Sequence, residues 1–276
     1  MNQPSVKACL IKEWQAFRLA MQFLTVLPIA RVLPVERALP VTREPQVEPE
    51  AGPETQGRAL IWYPAVGLVL GGMLTILAGC LPLPFYLTAA VVVAVWVILT
   101  GGLHLDGVAD CADAWMGGLG DRDKTLRLLK DPLCGSMGVL SLILLLLLKT
   151  TALAVLITQG SWLWLWAIPL LSRLSLLLLF LTTPYIRPQG LGGVIAQHFP
   201  KPLAWGVILA VSIMTLLVLP LLLWLLWLVV VLLVFGCVRM ATMKRLQGFT
   251  GDGAGALVEL VEVALLLAAT CLLVGT

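Results

Sequence analysis

Apolar residues run through this chain in long stretches, broken by short polar connections. Helices are predicted at about 60–80, 85–104, 137–158, 161–182, 203–220, 221–241 and 256–274. Each is close to the ~20 predominantly apolar residues that an α-helix needs to cross about 30 Å of hydrocarbon. Seven spans is the reading adopted; Pro220 alone divides the fifth from the sixth, and six or eight would also fit. Ahead of them, over residues 7–29, Leu10, Trp14, Phe17, Met21 and Leu24 recur at helical spacing, with Lys12, Glu13 and Arg18 on the other side. That pattern predicts an N-terminal helix lying in the membrane interface; a helix packed on the bundle fits it equally well. Residues 31–58 carry Pro34, Pro40, Pro45, Pro49 and Pro53 among Glu36, Glu44, Glu48, Glu50 and Glu54. They read as a solvated, flexible loop with no assigned role.

Composition agrees with the pattern. The chain is 60% hydrophobic and 12% charged, with mean hydropathy +1.00, where soluble domains carry about 25% charged residues. The fold class expected is therefore all-α: one integral-membrane domain over residues 1–276, about seven transmembrane helices plus the interfacial helix. The six cysteines show no paired spacing, so no disulfide framework is expected. The opening residues lack the charged, apolar and cleavage regions of a signal peptide, and none is expected.

The net charge of +3 says less than its placement. Threading seven spans puts the N-terminal segment and the connections 105–136, 183–202 and 242–255 on one side. That side or its membrane edge carries 16 of the 18 Lys and Arg residues; only Lys149 and Arg173 fall inside apolar spans. By the positive-inside rule this side faces the cytoplasm, and all seven aspartates lie on it. Membrane lipid is the expected surroundings, no nucleic-acid partner is expected, and a homo-oligomer is left open.

Six of the seven aspartates lie between residues 106 and 131. If the second span continues as helix, Asp106, Asp110 and Asp113 stand at i, i+4 and i+7 on one face. Like charges so placed repel, and a divalent cation between them would resolve the repulsion. Hard oxygen ligands suit Mg²⁺, which takes one or two protein carboxylates plus substrate phosphates. Small residues interleave at Gly101, Gly102, Gly107, Ala109, Ala112 and Ala114 and allow close approach. The plainer reading is a polar helix end that protrudes into water. After Gly117-Gly118-Leu-Gly120, Asp121 or Asp123 reads as the N-cap of a short amphipathic helix. Its Arg122, Lys124, Arg127 and Lys130 either hold phosphates or form a wet face. Asp131, held extended by Pro132, could complete a metal cage from this second element. His104, Cys111 and Cys134 match no zinc spacing. Arg173 within an apolar span marks a functional site by default, whereas Lys149 is expected to pair with Glu259 or Glu262. Arg239, Lys244 and Arg245 are either a positive anchor or a phosphate clamp.

These residues resemble the cobalamin synthase family of adenosylcobinamide-GDP ribazoletransferases. The resemblance rests on Gly101-Gly-Leu-His-Leu-Asp106-Gly-Val-Ala-Asp110-x-x-Asp113 and on Leu129-Lys-Asp131-Pro-x-x-Gly135-x-x-Gly138. Phe23-Leu-Thr-x-Leu-Pro28, Tyr63-Pro-x-x-Gly67-x-x-x-Gly71, Ser172-Arg173, Gly190-Leu-Gly192 and Thr250-Gly-Asp252-x-x-Gly255-Ala-x-x-Glu259-x-x-Glu262 extend it over nearly the whole chain. Two departures stand out: residues 31–58 are longer than usual there, and Ala114-Trp115 replaces a usual Gly.

The resemblance implies joining of adenosylcobinamide-GDP to α-ribazole, or its 5′-phosphate, with release of GMP. It also implies Mg²⁺ and the bacterial cytoplasmic (inner) membrane, with the acidic loop 104–136 as the catalytic segment. On that basis Asp106, Asp110 and Asp131 are the expected metal ligands, with Asp113 as base or further ligand. His104, Arg127, Lys130, Arg173, Gly190, Gly192, Thr250, Asp252 and Glu259 are expected around the substrates. The Asp106-Gly107 core also looks like the aspartate motif of CDP-alcohol phosphotransferases. That motif expects Asp-Gly-x-x-Ala followed by Arg, and counted from Asp106 this chain has Asp110 and Cys111 at those two places. A cation transporter would place acids near the bilayer midplane in broken, repeated helices, and no repeat is visible.

Overall fold

The computed structural model describes residues 6–27, 52–189 and 191–274. Helix α1 covers Val6–Leu24, α2 Pro53–Ala59 and α3 Tyr63–Cys80, with a 3-10 turn at Leu60–Trp62 joining α2 to α3. Next come α4 (Phe85–Thr100), α5 (Leu103–Gly118), α6 (Arg122–Leu128) and α7 (Ser136–Thr158). A 3-10 turn at Trp162–Trp166 then leads into α8 (Ala167–Thr182), followed by α9 (Leu191–His198), α10 (Lys201–Val218), α11 (Leu221–Leu246) and α12 (Gly251–Val274). Among the described residues the only bridge between extended segments joins Tyr185 and Phe249. Among the described residues six helical segments are long and apolar enough to cross a membrane, or seven if α4 and α5 count as one bent span. The all-α polytopic class follows as expected.

Helix α12 is the centre of the bundle and packs against α5, α7, α8 and α11. In its most apolar stretch 56% is buried, against 11% in α10 and 17% in α11. The latter two are peripheral and turn Leu209, Leu217, Leu222 and Leu233 outward, the face a lipid-bathed helix presents.

Several boundaries differ from the hydropathy reading. The first span begins earlier, because Pro53 starts α2 at a position where its missing N–H costs nothing. Residues 53–58 are therefore helical, whereas 31–51 of the expected loop lie outside the described residues. The connection 183–202 contains the helix α9. Helix α12 begins at Gly251, so Asp252 sits in a helix's first turn and not in a loop. The largest difference is the acidic stretch. The second span does not continue into it: Gly101 and Gly102 both take left-handed conformations, with φ of 62° and 69°, and α5 turns away from α4 by 89°. Side chains disfavour that conformation, whereas glycine adopts it freely. If α4 crosses the bilayer, α5 lies across the end of the bundle.

Helix α1 packs on the bundle through one face and leaves another open. Ala16, Ala20, Met21 and Leu24 are buried against the bundle, while Leu10, Ile11 and Trp14 are exposed. Glu13 ties it down by accepting bonds from Arg58 and from Trp62 Nε1, the latter at 3.0 Å.

Gly67 and Gly71 explain the first glycine motif. A Cβ on Gly67 would meet the Pro169 carbonyl, and one on Gly71 the Trp166 carbonyl, so α3 and the start of α8 touch backbone to backbone. Gly67→Leu is expected to lower the yield and thermal midpoint of detergent-purified protein. Gly72→Leu, with open space beside it, is expected to leave both unchanged.

Candidate functional site

The turn at Gly101–Gly102 lays α5 across the start of α12. The crossing is close because small residues meet: a Cβ on Gly107 would strike the Asp252 backbone carbonyl, and one on Gly255 would press on His104. Thr250 stands at the N-cap position of α12, its hydroxyl taking the Gly253 N–H at 3.3 Å. This brings Asp252 beside the aspartates of α5. Burial, then the charges of Asp106, Asp252 and Asp113, push the Asp110 carboxyl up from 3.8 to about 6, with Arg187 opposing. A carboxylate held this way is an incompletely neutralised anion, the electrostatic setting that a cation or a cationic ligand group relieves.

Arg187 is the cation on hand. Its Nη1 donates to Asp252 Oδ2 at 3.0 Å, and its Nη2 donates to the Leu129 carbonyl at 3.3 Å. The loop that carries it is fixed by two backbone bonds, Ile186 N–H to Phe249 O at 3.1 Å and Phe249 N–H to Pro184 O at 3.0 Å. Asp252 Oδ2 also accepts from Thr250 Oγ1 at 3.3 Å, while Oδ1 accepts no hydrogen bond among the described residues. Asp106 is exposed at the same edge.

Beneath this edge lies a cavity of about 260 Å³. Asp106, Asp252 and His104 contribute its polar wall, and Phe23, Tyr63, Phe180, Tyr185 and Phe249 its aromatic wall. Phe180 stacks on Tyr185 with centroids 6.1 Å apart, and both meet Phe249 edge-on. Phe23 stacks on Tyr63 at 6.2 Å. Gly192 also lines the cavity, and a Cβ there would collide with the Tyr185 ring.

The other expected residues fall elsewhere. Asp113 is committed to architecture: its oxygens accept the Gly135 N–H at 2.7 Å and the Gly138 N–H at 2.9 Å, capping the first turn of α7. A Cβ on either glycine would collide with that carboxylate, which accounts for the Gly135-x-x-Gly138 spacing. Asp121 is the N-cap of α6, accepting from the Lys124 N–H at 2.8 Å. Asp131 is exposed and its Oδ1 accepts from the Leu133 N–H at 3.0 Å. Among the described residues no three His, Cys, Asp or Glu side chains stand close enough to cage a metal ion. The expected Asp106–Asp110–Asp131 cage is thus not formed, because the bend sends α5 across the bundle end, where Asp252 is the acid it meets. Arg127 and Lys130 are exposed, and Gly190 lies outside the described residues. Arg239 and Arg245 bond the carbonyls of Thr182 and Trp115 at 3.0 and 3.1 Å, which makes them structural clamps. Ala114 is buried against Leu129 and Leu246, away from the aromatic cavity.

Arg173 and Glu259 are not on the cavity wall; they belong to a buried ion network. Lys149 Nζ reaches Glu259 at 2.9 Å and Glu262 at 2.5 Å, and lies 3.9 Å above the Trp96 ring. Arg173 pairs with Glu262 and approaches His104 Nδ1 at 3.5 Å. Pairing of Lys149 with these two acids was legible from sequence. Arg187 was not singled out, although a lone Arg between Pro184 and Pro188 in a short connection was a usable signal. The aromatic wall was also missed, since its members come from five separate elements.

Taken together, fold and site define a polytopic helical membrane protein with a carboxylate-rimmed aromatic cavity at one end of its bundle. The chain belongs to the cobalamin-5-phosphate synthase family, whose model matches residues 16–270. It is 48% identical over 258 residues to an adenosylcobinamide-GDP ribazoletransferase of Pseudomonas aeruginosa, covering 91% of this chain and 95% of that one. Enzymes of the same name from Pseudomonas fluorescens and Acinetobacter baumannii are 45% and 43% identical, each over 91% of this chain and over 97% and 94% of their own length. No solved structure matches it.

If Asp113 is a cap, Asp113→Ala should cost about 1 kcal/mol of stability, seen as a lowered thermal midpoint in detergent. Asp131→Ala should leave the midpoint in place.

Proposed function

We propose that the chain joins adenosylcobinamide-GDP to α-ribazole, or its 5′-phosphate, and releases GMP. In this reading the reaction is Mg²⁺-dependent and takes place on the cytoplasmic face of the inner membrane. The observation that carries it is the gathering of Asp106, Asp110 and Asp252 at one edge of the bundle, with Asp106 and Asp252 lining an aromatic cavity. Family membership and the names of the relatives support a transferase of this kind. The crowding of Lys and Arg toward the same end of the bundle supports the cytoplasmic face.

The chemistry asks for an alcohol to displace a nucleoside monophosphate from a pyrophosphate, and such transfers depend chiefly on positioning and electrostatics. The donor set fits Mg²⁺: Asp106 and Asp110 offer hard oxygens one turn apart on α5, and this ion usually completes its shell with substrate phosphates and water. When bound, Mg²⁺ would supply positive charge to the pyrophosphate and the departing GMP. Arg187, fixed beside Asp252, is placed to engage a phosphate oxygen. Asp252 lines the cavity with Oδ1 unengaged, so it is the acceptor proposed to orient the ribazole hydroxyl and take its proton. Thr250 and the Gly107–Gly255 crossing hold that carboxylate in place. His104 lines the cavity as a hydrogen-bonding group, its Nδ1 turned to Arg173.

The test is GMP release by purified protein supplied with adenosylcobinamide-GDP, α-ribazole and Mg²⁺. Asp106→Asn and Asp252→Asn are each expected to lower kcat by about 10²-fold or more, and chelation to abolish turnover. Undiminished turnover in Asp106→Asn, or in the presence of chelator, would contradict the reading.

A further inference from the structure

We propose that the aromatic cavity is the acceptor subsite: it takes the benzimidazole of α-ribazole, leaving the corrinoid and the guanine of the donor outside. This rests on the reaction proposed above and adds which substrate enters which space. Three observations carry it. The first is size. At about 260 Å³ the cavity is at the small end for ligand sites, which run from about 300 to 1,000 Å³. It suits a two-ring heterocycle with part of its sugar and cannot enclose a corrin macrocycle.

The second is the character of the wall. Two stacked pairs, Phe23–Tyr63 and Phe180–Tyr185, flank the space, and a flat heterocycle gains by stacking on such rings. Among the described residues no Asn, Gln, Ser, Thr, Lys or Arg lines it. The polar atoms of the wall are the acceptors of Asp106 and Asp252 with His104 and the two tyrosine hydroxyls, so guanine's carbonyl and ring-nitrogen acceptors would find few donors there, and unmatched buried polar groups are costly. A dimethylbenzimidazole has an apolar edge and a single ring acceptor, so it leaves much less unmatched. The carboxylates Asp106 and Asp252 lie at the rim, where the ribose hydroxyl of a nucleoside so inserted would emerge.

The third is preorganisation. Tyr185 is carried by the backbone bridge to Phe249 and packs directly on Gly192. Any side chain at 192 would displace the ring from the wall. Gly192 is thereby a specificity-determining position: it is the reason the Tyr185 ring can stand where the heterocycle would stack.

Equilibrium dialysis of α-ribazole against the purified chain, without donor or Mg²⁺, tests the subsite independently of turnover. Binding is expected, and excess GMP is expected not to displace it. Phe23→Ala, on a half-exposed ring of α1, should weaken binding about tenfold. In the GMP-release assay it should raise KM for α-ribazole by a similar factor while leaving KM for adenosylcobinamide-GDP unchanged. Gly192→Ala should act in the same direction; because it could also disturb folding, Phe23→Ala carries the test. Displacement of α-ribazole by GMP, or a KM change confined to the donor, would overturn the assignment while the reaction itself stood. Absence of GMP release with α-ribazole binding intact would instead overturn the reaction and leave the subsite.

Discussion

Glu262 holds two cations at the heart of an apolar bundle, and the rest of the structure is arranged about that contact. Its two oxygens are divided between Lys149 on α7 and Arg173 on α8, and Ser172 adds a bond at 3.1 Å. Glu259, one turn earlier on α12, takes the remaining reach of Lys149. Two cations face two carboxylates, so the cluster is neutral as a unit. Such a cluster is weak evidence of net stability, because desolvation opposes the Coulombic gain; removing one partner, however, strands a buried charge at a cost of about 3–5 kcal/mol. Its consequence is register. Helix α12 cannot rotate or slide against α7 and α8 without breaking it, and the same helix presents Asp252 a little less than two turns before Glu259.

From that fixed helix the site follows by short contacts. Arg173 carries the network to His104 at the start of α5, and the glycine crossing presses α5 onto the first turns of α12. The bend at Gly101–Gly102 makes this crossing geometrically available. The acids then form a rim at the bundle end, where the cation that acts on Asp110 is the Arg187 that Asp252 already engages. The hydrophobic spans supply the scaffold, and the acids of α5 meet Asp252 at one end of it.

The sequence made the spans, the acidic cluster and the pairing of Lys149 legible, since hydropathy and the rarity of intramembrane charge are local signals. It did not reveal which acid meets which. Asp106, Asp110 and Asp113 share a helix, as their spacing requires. Yet Asp113 faces the N–H groups of Gly135 and Gly138, and the fourth acid comes from Asp252, not Asp131. The meeting of Asp252 with the acids of α5 spans well over a hundred residues and depends on an angle between helices. The glycines that set that angle were visible as small residues, but an unbroken helix satisfied the same aspartate periodicity. The aromatic wall was hidden for a related reason: each ring looks like ordinary core until the elements are placed together.

The central claim is that the carboxylates on α5, not the loop acid Asp131, hold the ion that accompanies the donor pyrophosphate. The direct measurement is a titration with Mn²⁺ in place of Mg²⁺, followed by electron paramagnetic resonance, on purified chain saturated with adenosylcobinamide-GDP. The account predicts a bound ion that is lost in Asp106→Asn and in Asp110→Asn and retained in Asp131→Asn. An ion retained in the first two variants and lost in the third would contradict it.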